Sequence, residues 1–294
     1  MMVRASILTQ IVIILALLLA ACSDGSDSGE SRDLTTLTAS EAVKAMKAGD
    51  FTPSEYAEAL LEQAALNQHL NAFVYLDPDE VRAAADTATR KLASGEPVGA
   101  LIGIPLVVKD SIDTAGIPTT GGTPSLLDNI PTANAPVLQA LLDQDAYVFG
   151  KVNLSEMSSD PLGRNDFFGI ARNPYDTTRS PGGTSSGTGV AIGARISPLG
   201  VGEDTAGSIR IPAAWNGIVG FRPSSGRYSN AGMVPLAPHR DTAGPMARSL
   251  DDVILVDGLI TGSPLTLEPA NLQGLRLGLM PSYWNVLDRS LIHI

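Results

Sequence analysis

The chain has 294 residues, a formal net charge of −11, 44% hydrophobic and 17% charged residues. That length and apolar share support one large or two ordinary domains with a sizeable core. The acidic balance argues against a nucleic-acid partner, which selects basic surfaces, and a lone cysteine, Cys22, excludes an intrachain disulfide.

Arg4 precedes an unbroken apolar run over residues 11–21. The run is short for a bilayer span and suits the core of a signal peptide. It ends in Leu19-Ala20-Ala21-Cys22, which resembles the lipobox of bacterial lipoproteins. The resemblance implies a signal peptide over 1–21, cleavage before Cys22 and lipidation of Cys22. A plain signal peptide with an incidental cysteine is the competing reading. Residues 22–33 are polar and lack apolar anchors, so they read as a flexible tether. Lipid and tether together would hold a globular domain at the bacterial cell envelope, on the outer membrane or periplasmic face. The sequence assigns no oligomeric state.

The folded part is expected over 34–294. Thr38-Ala-Ser-Glu41 has capping-box spacing and opens a helix that Gly49 ends. Thr52-Pro-Ser-Glu55 repeats the signal, and its helix sets Ala57, Leu60, Leu61 and Ala64 on one face. Asp77-Pro-Asp-Glu80 opens a third helix through Ala83, Ala84 and Ala88 toward Leu92. Strands are expected at 104–108, 146–150, 199–201, 218–221 and 275–279, with helices starting near Gly189 and over 249–260. The apolar run at 104–108 predicts burial on both faces. Strand-helix alternation points to an α/β layered fold in one domain.

Three sites carry chemistry. Lys109 ends the buried strand, where its charge is costly to keep, so it is either a lysine that reaches the surface or a desolvated base. Gly182-Gly183-Thr184-Ser185-Ser186-Gly187 is either a flexible turn or a hydroxyl-bearing loop. Gly183, Ser185 and Gly187 also fit the nucleophile elbow of α/β-hydrolases, with His239 and an acid such as Glu203 or Asp204 as partners. Of the other histidines, His69 precedes Ser185 and His293 nearly ends the chain. The residues before the loop, 173–181, contain two prolines and do not read as the buried strand that an elbow requires. Asp204-Thr-Ala-Gly-Ser208-Ile-Arg210 is a small-residue turn that can present a serine and converging N–H groups.

Taken with Gly103-Ile-Pro-Leu-Val-Val-Lys109-Asp-Ser-Ile-Asp-Thr114, Gly150-Lys-Val-Asn-Leu-Ser-Glu156, Arg172-Asn-Pro174, Gly220-Phe-Arg-Pro223 and Asp241-Thr-Ala-Gly-Pro-Met-Ala-Arg248, these pieces resemble the amidase signature family. The wording is most similar to bacterial amidases that act on peptide or small aliphatic amides. The resemblance implies a mixed β-sheet covered by helices on both sides. It also implies amide hydrolysis without metal or cofactor, through an acyl-enzyme. Ser208 would be the nucleophile, Lys109 the base, and Thr184, preceded by a cis peptide, the proton relay. Ser185 is the alternative relay. The N–H groups of Thr205, Ala206, Gly207 and Ser208 would form the oxyanion hole. Two positions depart from the family pattern: Thr184 replaces the usual serine, and Ala206 replaces the commoner glycine and is expected to narrow the turn. Relatives run longer, so the chain is expected to be the N-terminal part of a larger fold. A ligand-binding lipoprotein without catalysis is the competing function.

Overall fold

Helix formation begins where the sequence supplies caps. In the computed structural model, which describes residues 33–265, 271, 273–276 and 278, helix α1 spans Ala39–Ala48 and helix α2 spans Pro53–Leu66. Both begin with a complete capping box, Thr38 with Glu41 and Thr52 with Glu55, which satisfies backbone donors that the first turn leaves open. Gly49 ends α1 in the left-handed conformation. Ala57, Leu60, Leu61 and Ala64 are buried on one face of α2, as their spacing predicts. Helix α3, Pro78–Ser94, buries Val81, Ala85 and Ala88 and leaves Ala83 exposed.

A six-stranded mixed sheet forms the core layer. Its strands are β1 (Phe73–Tyr75), β2 (Pro105–Lys109), β3 (Tyr147–Val152), β4 (Leu199–Asp204), β5 (Val219–Gly220) and β6 (Thr242–Ala247), in spatial order β1-β3-β2-β4-β6-β5. The central trio β3, β2 and β4 is parallel, and β1, β6 and β5 add antiparallel partners outside it. Every residue of β2 is buried, so both faces of the middle strand are covered, as its continuous apolar run requires.

The remaining helices are α4 (Pro136–Leu142), α5 (Ser186–Gly193), α6 (Arg210–Trp215) and α7 (Leu250–Thr261). Helix α5 packs on β2, β3, β4 and β6, and α7 packs on β5 and β6. Asp252 of α7 accepts the backbone N–H groups of Ala39 and Ser40, each at 2.9 Å, and so anchors the start of α1. Arg248 donates to the carbonyls of Thr35, Leu37 and Ser197, which fastens the first described turn to the sheet.

The structure differs from the sequence reading in several places. Helix α5 starts at Ser186 and not at Gly189, directly after the glycine loop. Strand β4 runs on through Glu203 and Asp204, beyond the expected end at Val201, because both residues pair with β6. Strand β6 itself went unseen, since Gly244 and Pro245 are poor strand formers. Strand β1 and helices α4 and α6 are also additions. The strand expected at 275–279 falls partly outside the described residues, and Leu275, Arg276 and Gly278 carry no strand. The signal peptide, Cys22 and almost all of the tether lie outside the described residues.

Candidate active site

Strands β2 and β4 run parallel, with Val108 opposite Val201, so their carboxyl ends meet on one edge of the sheet. Ligand sites of α/β sheets form at that edge. Here β2 delivers Lys109, and β4 delivers Glu203 and Asp204. The glycine loop reaches the same edge from the start of α5.

Lys109 is completely buried. Its Nζ donates to Thr184 Oγ1 at 2.7 Å and lies 3.2 Å from Glu203 Oε2. A third contact reaches the Glu203 carbonyl at 3.4 Å. Burial is the largest influence on the ammonium and lowers its pKa, while Glu203, Asp204 and Asp241 act in the opposite direction. The lysine that could have reached the surface is thus a desolvated one. The Gly183-Thr184 peptide is cis.

Ser185 plays a different part. It is fully buried, its Oγ donates to the Glu203 carbonyl at 3.2 Å and accepts the Glu203 N–H at 3.3 Å. Its own N–H donates to the Ser208 carbonyl at 3.1 Å. Ser185 therefore braces the two loops, and Thr184 is the one of the two hydroxyls that touches Lys109. The hydrolase elbow does not form: residues 171–185 contain no strand, and His69 and His239 are exposed. His293 lies outside the described residues.

Asp204 builds the turn that carries Ser208. Its carboxylate accepts the N–H groups of Gly207 at 2.7 Å and Ile209 at 3.1 Å. Arg210 and Arg222 donate to it from outside, at 3.1 Å and 3.0 Å. The residue between those N–H groups, Ser208, is thereby pushed outward and retains 9% exposure, against 2% for Thr184. Gly207 has φ of +131°, a conformation closed to other residues, and a Cβ there would meet Ile211 Cδ1 at 2.8 Å.

This arrangement corrects one expectation. The Gly207 N–H is not a free oxyanion donor, because a buried carboxylate left without it would be under-solvated. The N–H groups of Thr205, Ala206 and Ser208 have no hydrogen-bond partner among the described residues. Ala206 is exposed and lies outside the positive-φ residues. Ser208 Oγ makes no hydrogen bond to another described residue. Catalytic contacts of this kind are often loose without substrate and tighten when it binds.

Burial raises the cost of charge on Asp204, but the Arg210 donors and the Gly207 and Ile209 N–H groups outweigh it and hold its pKa below the ordinary carboxylate value. A depressed folded pKa adds stability above the unfolded value of about 3.9, and that stability is lost as pH falls through the lower folded value. Asp204→Asn is therefore expected to cost roughly 1.5–3 kcal/mol near pH 7 in urea unfolding, by loss of charged hydrogen bonds. The difference from wild type should shrink as the medium is acidified below the unfolded value of about 3.9. A cost independent of pH would show that the charge of Asp204 is irrelevant.

The sequence reading missed part of the site. The sequence assigns Glu203 no role beyond a partner for a hydrolase histidine, and it gives Ser111 and Ser158 none of their own. Ser111 Oγ donates to Glu203 Oε2 at 2.8 Å and Ser158 Oγ at 3.2 Å. The available signal was an acidic residue at the end of an otherwise small and apolar segment, Leu199-Gly-Val-Gly-Glu203. Next to the site, Asp110 and Lys151 form a second fully buried ion pair at 2.9 Å. Burial lowers the pKa of Lys151, and Asp110 offsets part of that. Among the described residues there is no group of three or more His, Cys, Asp or Glu residues arranged to hold a metal ion.

The chain is similar to several known proteins. Mandelamide hydrolase from Pseudomonas putida is 40% identical over 256 residues, covering 85% of this chain and 50% of that protein. Indoleacetamide hydrolase from Rhizobium radiobacter is 36% identical over 244 residues, covering 83% of this chain and 52% of that protein. The crystal structure of the native peptide amidase from Stenotrophomonas maltophilia superposes with a TM-score of 0.73 at 36% identity, over 76% of this chain and 48% of that one. The chain thus spans about half the length of the relatives it matches. The Amidase family model matches residues 55–266, a span that contains every strand of the sheet and all of Lys109, Thr184, Ser185, Glu203 and Ser208, and the chain belongs to the amidase family.

Proposed function

We propose that this chain hydrolyses carbon–nitrogen amide bonds, with Ser208 as nucleophile, Thr184 as proton relay and Lys109 as base. The observation that carries this reading is the buried Lys109 Nζ, 2.7 Å from Thr184 Oγ1, beside the turn that presents Ser208. Burial favours the free amine of Lys109, which is the form a base needs.

Ser208 Oγ attacks the amide carbonyl and gives its proton to Thr184 Oγ1, which passes its own proton to Lys109. The carbonyl oxygen becomes an oxyanion beside the unpartnered N–H groups of the 205–208 turn. Lys109 then returns a proton through Thr184 to the departing nitrogen, and the C–N bond breaks. Water then attacks the acyl carbonyl and gives its proton through Thr184 to Lys109; the acyl bond to Ser208 Oγ breaks, and the proton returns along the same route to Ser208 Oγ. Likeness to a mandelamide hydrolase, an indoleacetamide hydrolase and a peptide amidase supports a linear amide as substrate. No step is assigned to a metal or cofactor.

A fluorophosphonate probe tests this reading, because it reacts with an activated serine. The purified chain is expected to be labelled once, at Ser208, as located by peptide mass spectrometry. Labelling at Ser185 would restore the hydrolase reading. A folded protein with no labelled serine would overturn the proposal.

A further inference from the structure

One buried ionisable group has no part in the reaction described above. Glu203 is 1% exposed, and its Oε2 receives three contacts: Lys109 Nζ at 3.2 Å, Ser111 Oγ at 2.8 Å and Ser158 Oγ at 3.2 Å. Its other oxygen, Oε1, is buried and has no hydrogen-bond partner. Burying a carboxylate with one oxygen unsatisfied is costly, and the sheet would be more stable with a small or apolar residue there. The three contacts converge on the oxygen that faces Lys109. They leave Nζ between the carboxylate on one side and Thr184 Oγ1 on the other.

From this we infer that Glu203 is a positioning residue for the base: it aims Lys109 Nζ at Thr184 and stabilises the ammonium that forms when Lys109 takes the proton of Ser208. The inference rests on the mechanism proposed above. Its logic is that of the acid in a Ser-His-Asp triad, which orients the base and stabilises its protonated form without itself gaining the proton. Here lysine stands where histidine would. Atoms balance: one proton moves from Ser208 through Thr184 to Lys109 Nζ, and Glu203 remains a carboxylate throughout.

Such a partner has two opposed effects. It makes Lys109 a stronger acceptor once the amine is free, and it makes the amine harder to free at low pH. Other charges face Lys109 as well. Asp204 and Asp241 also favour its ammonium. Asp204 is compensated by Arg210 and Arg222, and Asp241 is held by the Thr205 hydroxyl and the N–H groups of Leu236 and Ala237. The Asp110 and Lys151 pair next along β2 and β3 is internally matched. Glu203 is the acid in direct contact with Nζ.

The test is the pH dependence of fluorophosphonate labelling at Ser208 in the full chain, for wild type, Glu203→Gln and Ser111→Ala. Glutamine keeps the shape and can still accept from Ser111, Ser158 and Lys109. The expected result for Glu203→Gln is an acidic limb moved to lower pH, by about 1–3 pH units for the loss of a contacting opposite charge. Its plateau rate should also fall, because a less basic amine is a weaker proton acceptor. Ser111→Ala removes a donor that competes for the carboxylate, so its limb should move the other way, to higher pH. This variant decides the matter should Glu203→Gln fail to fold. Limbs that coincide with wild type, or rates lowered equally at every pH, would overturn the inference and make Glu203 a structural residue only. Absence of labelling in wild type would instead strike the proposed function, so the two failures are separable.

Discussion

Replacing Ser208 with alanine is expected to abolish amide hydrolysis, with a loss on the order of 10⁶-fold in kcat if it behaves as nucleophiles of serine hydrolases do. The fold should be spared. Ser208 Oγ makes no hydrogen bond to another described residue, and the structural bonds at this position run through backbone: the Ser185 N–H to its carbonyl, and the flanking N–H groups of Gly207 and Ile209 to Asp204. Alanine preserves all of these. Ammonia release from primary amides and urea unfolding, measured on the same preparation, should therefore separate cleanly, with the first lost and the second unchanged. Undiminished hydrolysis in Ser208→Ala would sink the assignment of the nucleophile.

Lys109→Met should behave differently, because this side chain contacts the buried Glu203 and is the base in the proposed mechanism. Removing the amine leaves the buried Glu203 carboxylate without one of its three contacts, a loss of about 1–3 kcal/mol. Removing the base should lower the hydrolysis rate by roughly 10²–10⁴-fold beyond any effect of unfolding. A double variant separates the two contributions. In Lys109→Met/Glu203→Met both buried polar groups are gone, and replacing a buried pair by apolar residues of similar volume is often neutral or stabilising. Urea unfolding should show most of the stability regained. Hydrolysis should stay absent. Recovered activity in the double variant would show that Lys109 is no base. Unrecovered stability would point to the hydroxyls of Ser111 and Ser158, which lose their acceptor with Glu203.

The parts of this molecule that were legible in its sequence are those settled by neighbours along the chain. The capping boxes at Thr38 and Thr52 need only four consecutive residues each, and both form as read. The buried strand before Lys109 was legible because five apolar or proline residues in a row leave no solvent face. The proximity of Lys109 to the glycine loop came from resemblance, since nothing local connects positions 109 and 184. What escaped was decided across the sheet. Glu203 reads as a loop residue because Gly, Glu and Asp are poor strand formers. Its pairing with Ala243 depends on β6, whose own Gly244 and Pro245 concealed it. Once β4 is cut short at Val201, Glu203 cannot be placed beside Lys109, and the acid next to the base disappears from view. The Gly207 N–H reads as free for a related reason: its acceptor, the buried Asp204 carboxylate, is held in place by the pairing of β4 with β6.

The bond between Lys109 and Thr184 joins residues 75 apart in sequence, and that between Lys109 and Glu203 joins residues 94 apart. Contacts of such separation repay their loop-closure cost only after the intervening chain is already ordered. A nascent or partly refolded molecule can hold α1, α2 and their capping boxes and still possess no trace of the site. Catalytic competence should thus emerge in a single late event, when β4 docks alongside β2, and not accumulate with helix content.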